Sequence, residues 1–320
     1  MHCWGCARTI SEHEGACPHC GDTFPYDLAA MGGVTAPEDN EGLLGVRVGG
    51  RYRLDAYLAR GGMGVVFRGR DEVLPRAVAV KLIATSLQGD EDAKRRFLRE
   101  ARALSRIEHE HVVRAYDFGS HEGRPYLVMQ FLEGESLSAK LFARRRLPLA
   151  DAASLLLQVC DGLEHIHSCG FTHRDLKPQN LFLTKARRLG IWETRCVVLD
   201  FGILRRRGSL LTGSAEFLGT PAYAAPEQWA APRSASQRSD IYALGVVLFE
   251  MVTGALPFQG RSFVEVRHAH ATAPIPSVLG MAPELPSALD ALIAKALAKD
   301  PQGRFSTARA MADAIEALLK

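Results

Sequence analysis

The order of its apolar patterns predicts an α+β chain of two lobes, strand-rich first and helical afterwards, behind a short cysteine-bearing segment. Three observations carry this. Short β-like runs occupy Arg51–Leu58, Val65–Arg70 and Ala77–Ala84, and two more follow near Val112–Phe118 and Pro125–Gln130. A single amphipathic helix, from about Asp90 to Arg106, separates the third run from the fourth. Beyond Glu135 the spacing turns helical: Leu155, Leu156, Val159, Leu163 and Ile166 mark one buried face, and Met311, Ile315 and Leu318 another. Strands that precede a block of helices, rather than alternating with them, argue for segregated lobes. No internal repeat is evident.

Size and charge narrow the classes. A chain of 320 residues with 47% hydrophobic content can bury a large core, which excludes wholesale disorder. A net charge of +3 is too weak by itself to argue for nucleic acid or an anionic membrane. No uncharged apolar stretch is long enough to span a bilayer. The best candidate, Ile241 to Met251, is short and carries Glu250. The N-terminus lacks an apolar signal core, so a soluble, cytoplasmic protein is expected.

Four of the seven cysteines, Cys3, Cys6, Cys17 and Cys20, form C-x2-C-x10-C-x2-C. Each pair can turn two thiolates onto one ion, and two pairs complete a tetrahedral shell, so residues 1–24 read as a zinc ribbon with structural Zn²⁺. So short a segment buries too little apolar surface to fold unaided, and the metal would supply its folding energy. Its expected role is docking on another protein or on the rest of the chain. Nucleic acid is disfavoured, because only Arg8 adds positive charge beside Trp4. Residues 25–48 mix Gly, Pro, Ala and acids without periodicity and read as a flexible linker, leaving 49–320 as the main domain. Cys160, Cys169 and Cys196 are expected to be inert packing residues.

The chemistry concentrates in His173-Arg174-Asp175-Leu176-Lys177-Pro178-Gln179-Asn180 and, further on, Asp200-Phe201-Gly202. Two acids, a lysine and an amide in this order suit metal-assisted phosphoryl transfer, which needs a group to orient a hydroxyl and oxygens to hold Mg²⁺. Upstream, Leu58-Ala59-Arg60-Gly61-Gly62-Met63-Gly64-Val65-Val66 lies between two strand signals. Its glycines let backbone N–H groups approach phosphate oxygens. Val78-Ala79-Val80-Lys81 follows, ending an apolar strand in a cation that is costly to bury without partners.

These motifs, in this order from about Arg51 to the C-terminus, resemble eukaryotic-type protein kinases, most closely the bacterial (Hanks-type) serine/threonine branch. The resemblance implies a bilobal protein-kinase fold that binds ATP with Mg²⁺, or Mn²⁺ in its place, and phosphorylates protein substrates. It assigns Lys81 to the α- and β-phosphates with Glu100 as its partner, because Phe97, Ala101 and Leu104 share the face of Glu100 and turn it inward. It makes Asp175 the group orienting the substrate hydroxyl, Lys177 a neutraliser of phosphoryl charge, and Asn180 and Asp200 the Mg²⁺ ligands. Adenine is expected between Val66, Ala79 and Phe182, with Met129 as gatekeeper and Gln130-Phe131-Leu132 as hinge. Ala59 departs from the family glycine, which implies altered loop mobility or nucleotide affinity.

The segment from Asp200 to Ala225-Pro226-Glu227 resembles an activation segment. Thr212 is the first choice for autophosphorylation, with Ser209 and Ser214 as alternatives; a phosphate at Thr212 could reach Arg174. Lys177 and Thr220 favour serine or threonine substrates. Asp240 and the Glu227–Arg304 pair are expected in the scaffold, and His173 as a packed structural residue. Residues 185–195 exceed a tight turn and read as an extended hairpin whose Trp192 is either a contact for another protein or packed on the surface. Relatives often pair through their kinase lobes, which leaves a homodimer open. The alternative function is a nucleotide-binding pseudokinase scaffold acting through its ribbon.

Overall fold

The computed structural model describes residues 42–61, 64–188, 191–199, 221–230 and 234–320. The zinc-ribbon cysteines, Gly62, Met63, Asp200, Thr220 and the three phosphosite candidates therefore lie outside the described residues.

Alternating apolar residues build the first lobe. Six strands, β1 (Arg47–Val48), β2 (Tyr52–Gly61), β3 (Gly64–Asp71), β4 (Arg76–Ile83), β5 (Ala115–His121) and β6 (Arg124–Gln130), form an antiparallel sheet in the order β1-β2-β3-β4-β6-β5. Tyr52, Leu54, Val65, Phe67, Val78, Val80, Leu82 and Val128 bury one face of it. The β3–β4 turn is held by Asp71, whose carboxylate accepts from the Arg51 guanidinium at 2.7 and 2.8 Å. It also accepts from the N–H groups of Val73 and Leu74 at 3.1 Å each. The Arg51 hydrogen bonds hold the Asp71 carboxyl at about 2. The sheet begins inside the stretch read as linker: Val48 is fully buried and β1 pairs with β2, so ordered packing reaches further upstream than composition indicated.

Helix α1 (Glu91–Leu104) crosses this sheet. Asp90 caps it, accepting from the N–H groups of Asp92 and Ala93 at 2.9 and 3.0 Å, with Glu91 and Asp92 in its first turn. Beyond the hinge, β7 (Gly134–Ser136), β8 (Leu181–Arg188) and β9 (Ile191–Val198) form a second antiparallel sheet. Around it lie α2 (Leu137–Arg144), α3 (Leu149–Ser168), α4 (Pro226–Ala230), α5 (Gln237–Thr253), α6 (Phe263–Thr272), α7 (Ser287–Ala296) and α8 (Ala308–Leu318).

Helix α5 is apolar nearly all round because it is the centre of the second lobe, buried from Ser239 to Val252. Reciprocal Ser236–Ser239 bonds start it and Gly254 at φ 76° ends it. This accounts for the stretch that came nearest to a membrane span in composition. Among the described residues no helix is long and apolar enough to cross a membrane.

Candidate active site

Strand β4 carries Lys81 opposite Val66 of β3 and Leu127 of β6, inside an apolar sheet where its charge needs a partner. Helix α1 supplies one. Phe97, Ala101 and Leu104 pack inward, and the same face turns Glu100 into the core. Lys81 Nζ stands 3.5 Å from Glu100 Oε1, with both side chains buried. The other acids near this helix are occupied elsewhere: Glu91 pairs with Lys94 and Glu108 with Arg114.

The glycine-rich stretch joins β2 to β3. Ala59 pairs with Val66, Arg60 with Val65 and Gly61 with Gly64, beside a register shift between Tyr57 and Ala59 that leaves Leu58 without a cross-strand partner. At Gly64 a Cβ would lie 2.2 Å from the Leu82 carbonyl oxygen, so β3 and β4 could not approach as they do with any larger residue. The expected pocket residues lie nearby in register. Ala79 pairs with Met129, which is buried, and Phe182 and Leu132 are buried too. The chain leaves the sheet after Gln130, where the Arg68 guanidinium lies 5.2 Å from the Phe131 ring centroid.

The loop that carries Asp175 is held from beneath by α5. Asp240 Oδ2 accepts the N–H of His173 at 2.9 Å, and Asp240 Oδ1 that of Arg174 at 2.8 Å. Arg174 has φ 68°, a left-handed conformation that costs a non-glycine residue about 1–2 kcal/mol and so needs such fixing. Gln228 supports the same turn, donating Nε2 to the Arg174 carbonyl at 3.0 Å. His173 is fully buried, and its Nε2 bonds the Leu199 carbonyl at 2.8 Å, in keeping with a packing role.

Three of the chemical groups then converge. Asn180 Nδ2 donates to the Asp175 carbonyl at 2.7 Å and to its Oδ2 at 3.2 Å, while Lys177 Nζ lies 3.4 Å from that same Oδ2. With Nδ2 committed, Asn180 keeps its Oδ1, the hard oxygen that Mg²⁺ prefers. The described chain reaches Leu199, whose N–H bonds the Asn180 carbonyl at 2.8 Å; Asp200 comes next in sequence. Such a set can orient a hydroxyl, offer oxygens to a cation and neutralise anionic charge. The donor set fits Mg²⁺.

The second lobe secures this arrangement. Arg304 donates to both oxygens of Glu227 at 2.7 and 2.9 Å, and Ser239 Oγ donates to Glu227 Oε1 at 2.6 Å. Burial works to raise the Glu227 carboxyl, but the bonds from Arg304 and Ser239 outweigh it and hold the group low. Several contributors carry no local sequence signal. His167 on α3 bonds Asp240 Oδ2 at 2.8 Å, and Tyr223 donates its hydroxyl to the buried Glu250 at 2.7 Å. One cysteine expectation fails. Burial pushes the thiols of Cys160 and Cys196 up to about 12, as inert residues require, but Cys169 is exposed. It follows the last turn of α3, where the chain leaves the core, and its Sγ lies 3.9 Å from His165 Nε2. Trp192 is exposed rather than packed.

Comparison with known proteins agrees with this geometry. Residues 52–315 match the model of the protein kinase domain. The serine/threonine-protein kinase Pkn1 of Myxococcus xanthus is 37% identical over 327 residues, covering 99% of this chain and 45% of that protein. PrkC of Bacillus subtilis (strain 168) is 36% identical over 270 residues, covering 84% of this chain and 40% of that kinase. The chain thus spans less than half the length of these relatives. The crystal structure of the Mycobacterium tuberculosis PknI kinase domain superposes with a TM-score of 0.68 at 27% identity, covering 86% of this chain and 98% of that one. By sequence match, by fold and by the order of its motifs, this chain belongs to the protein kinase family and aligns with its bacterial serine/threonine members.

Proposed function

We propose that the protein transfers the γ-phosphoryl group of ATP to serine or threonine hydroxyls of protein substrates. The observation that carries this reading is the convergence of Asp175, Lys177 and Asn180 on a loop whose backbone Asp240 fixes. Asp175 positions the attacking hydroxyl and accepts its proton. Lys177 offsets charge that builds on the phosphoryl oxygens. Lys81, oriented by Glu100, holds the other end of the triphosphate, and residues from Leu58 to Val66 cover it. Asn180 and Asp200 would hold Mg²⁺, which would supply neutralisation of the phosphate charge. Lys177, two residues after Asp175, favours serine and threonine over tyrosine.

The same reading places autophosphorylation at Thr212, with Ser209 and Ser214 as alternatives, and a structural zinc on Cys3, Cys6, Cys17 and Cys20. A cytoplasmic location, a protein partner for the ribbon and pairing through the kinase lobes belong to it as well. Purified protein given Mg-ATP is expected to label itself or a generic basic protein. Asp175→Asn should retain nucleotide binding and lose labelling by at least about 100-fold. Undiminished labelling by Asp175→Asn would refute the assignment.

A further inference from the structure

The peptide unit that joins Arg174 to Asp175 is gripped at both ends. Its N–H donates to His173 Nδ1 at 3.3 Å, and its carbonyl oxygen accepts from Gln228 Nε2 at 3.0 Å. His173 can accept there because its Nε2 carries the proton shared with the Leu199 carbonyl. A peptide is planar, so fixing both ends fixes the plane from which Asp175 projects. Arg174 stands at φ 68°, a conformation that depends on outside bonds. Gln228 is itself buried, and the other end of its amide is engaged as well: Oε1 accepts the Ala225 N–H at 2.9 Å.

The anchors of residues 223–228 differ in where they lead. Tyr223 donates to Glu250 of α5, and Glu227 is held by Arg304. Both lead into the framework of the second lobe. Gln228 leads instead to the loop that carries Asp175. Asp240 does not duplicate it, because Asp240 grips the N–H groups of His173 and Arg174, which belong to the two preceding peptide units. Close packing does not duplicate it either. Where loop, segment and α5 meet there is a cavity of about 10 Å³ lined by Arg174, Asp175, Tyr223, Gln228, Ser239 and Asp240. Directed bonds, rather than a filled apolar contact, therefore set the orientation at this junction.

We propose that Gln228 is a positioning residue for phosphoryl transfer: its amide orients the 174–175 peptide, and with it the Asp175 carboxylate, and ties that orientation to the seat of residues 223–228. The inference rests on the role proposed above for Asp175. Gln228 touches no reacting atom and acts through Asp175. Its place demands a donor and an acceptor on neighbouring atoms. An amide supplies both, a carboxylate supplies two acceptors, and a protonated carboxyl again supplies one of each.

The test uses the full chain, assayed for transfer from Mg-ATP to myelin basic protein, with Mg-ADP affinity measured by calorimetry on the same samples. Gln228→Met and, at about pH 8, Gln228→Glu should each lower kcat about tenfold while leaving KM for ATP and Mg-ADP affinity unchanged. The carboxyl introduced by Gln228→Glu is buried and faces Asp175 and Asp240 across the cavity, with Arg174 as the cation among the lining residues and the adjacent Glu227 already paired with Arg304. Burial and the two acids should outweigh Arg174 and hold that carboxyl above the ordinary range. Activity of Gln228→Glu relative to the wild type should therefore recover as pH falls to about 6, whereas Gln228→Met has nothing to titrate and should not recover. Unchanged kcat in both variants, beside a wild type that transfers phosphate, overturns the proposal and leaves the kinase reading standing. So does loss of Mg-ADP affinity in step with kcat, equal recovery of Gln228→Met, or no recovery of Gln228→Glu. A wild type that transfers no phosphate removes the kinase reading, and this inference with it.

Discussion

Glu250 shows at the scale of one residue how burial sets behaviour. It lies fully inside α5, its Oε2 accepts the Tyr223 hydroxyl, and burial pushes its carboxyl up to about 8. The folded state therefore holds a proton that the unfolded chain, with a carboxyl near 4.5, releases. Unfolding sheds this proton, so stability should fall as pH rises from about 4.5 to about 8 and level off above that. Glu250→Gln should flatten the profile, read from denaturant midpoints at several pH values; an unchanged slope would show that Glu250 is ionised in the fold. The residues proposed for catalysis could be picked out as one group in the sequence because Asp175, Lys177 and Asn180 lie within six positions of one another. Their supports could not. Asp240 reaches His167 and His173 from 73 and 67 positions away, and nothing local to His167 marks it as their partner.

Elements were legible where their periodicity was strong. Helix α1 displays the capping acid and inward face that placed Glu100 against Lys81, and α3 buries the five apolar residues its spacing indicated. Boundaries were less legible. Strand β1 is two residues long and owes its place to pairing with β2, which no window of composition can register. The glycine-rich stretch has a structural demand beyond phosphate approach. Gly64→Ala should force β3 from β4 at the Leu82 carbonyl and cost about 1–3 kcal/mol, with weaker nucleotide binding; calorimetry of both would check it. The Glu227–Arg304 pair ties the end of the activation segment to the distal helices. Deleting Arg304 as Arg304→Ala leaves the partly buried Glu227 carboxylate without its counter-ion, and should cost about 3–5 kcal/mol in chemical unfolding.

Across the whole molecule, the two lobes meet at more than the hinge. The segment 111–113 is stitched to β9 by the Val198 N–H to the His111 carbonyl at 2.9 Å and the Val113 N–H to the Val198 carbonyl at 3.0 Å. His111 Nδ1 adds a bond to the Cys196 carbonyl at 2.9 Å. These contacts join strands distant in sequence, which is why motif order conveyed the fold while the joint between lobes stayed hidden. The proposed zinc site on Cys3, Cys6, Cys17 and Cys20 can be tested apart from the kinase domain. Chelation should then release a zinc ion, measurable by atomic emission, without shifting the unfolding transition of the kinase domain. Retained metal after Cys3 and Cys6 are both replaced by Ser would contradict that. The central claim is that Lys81 on the sheet and Asp175 beneath it act on one nucleotide. Single-turnover phosphoryl transfer in Lys81→Met, Asp175→Asn and the double variant tests it most directly. Groups acting as a unit should give a double variant scarcely slower than the worse single one, whereas losses that multiply in full, or transfer that survives both changes, would contradict a shared site.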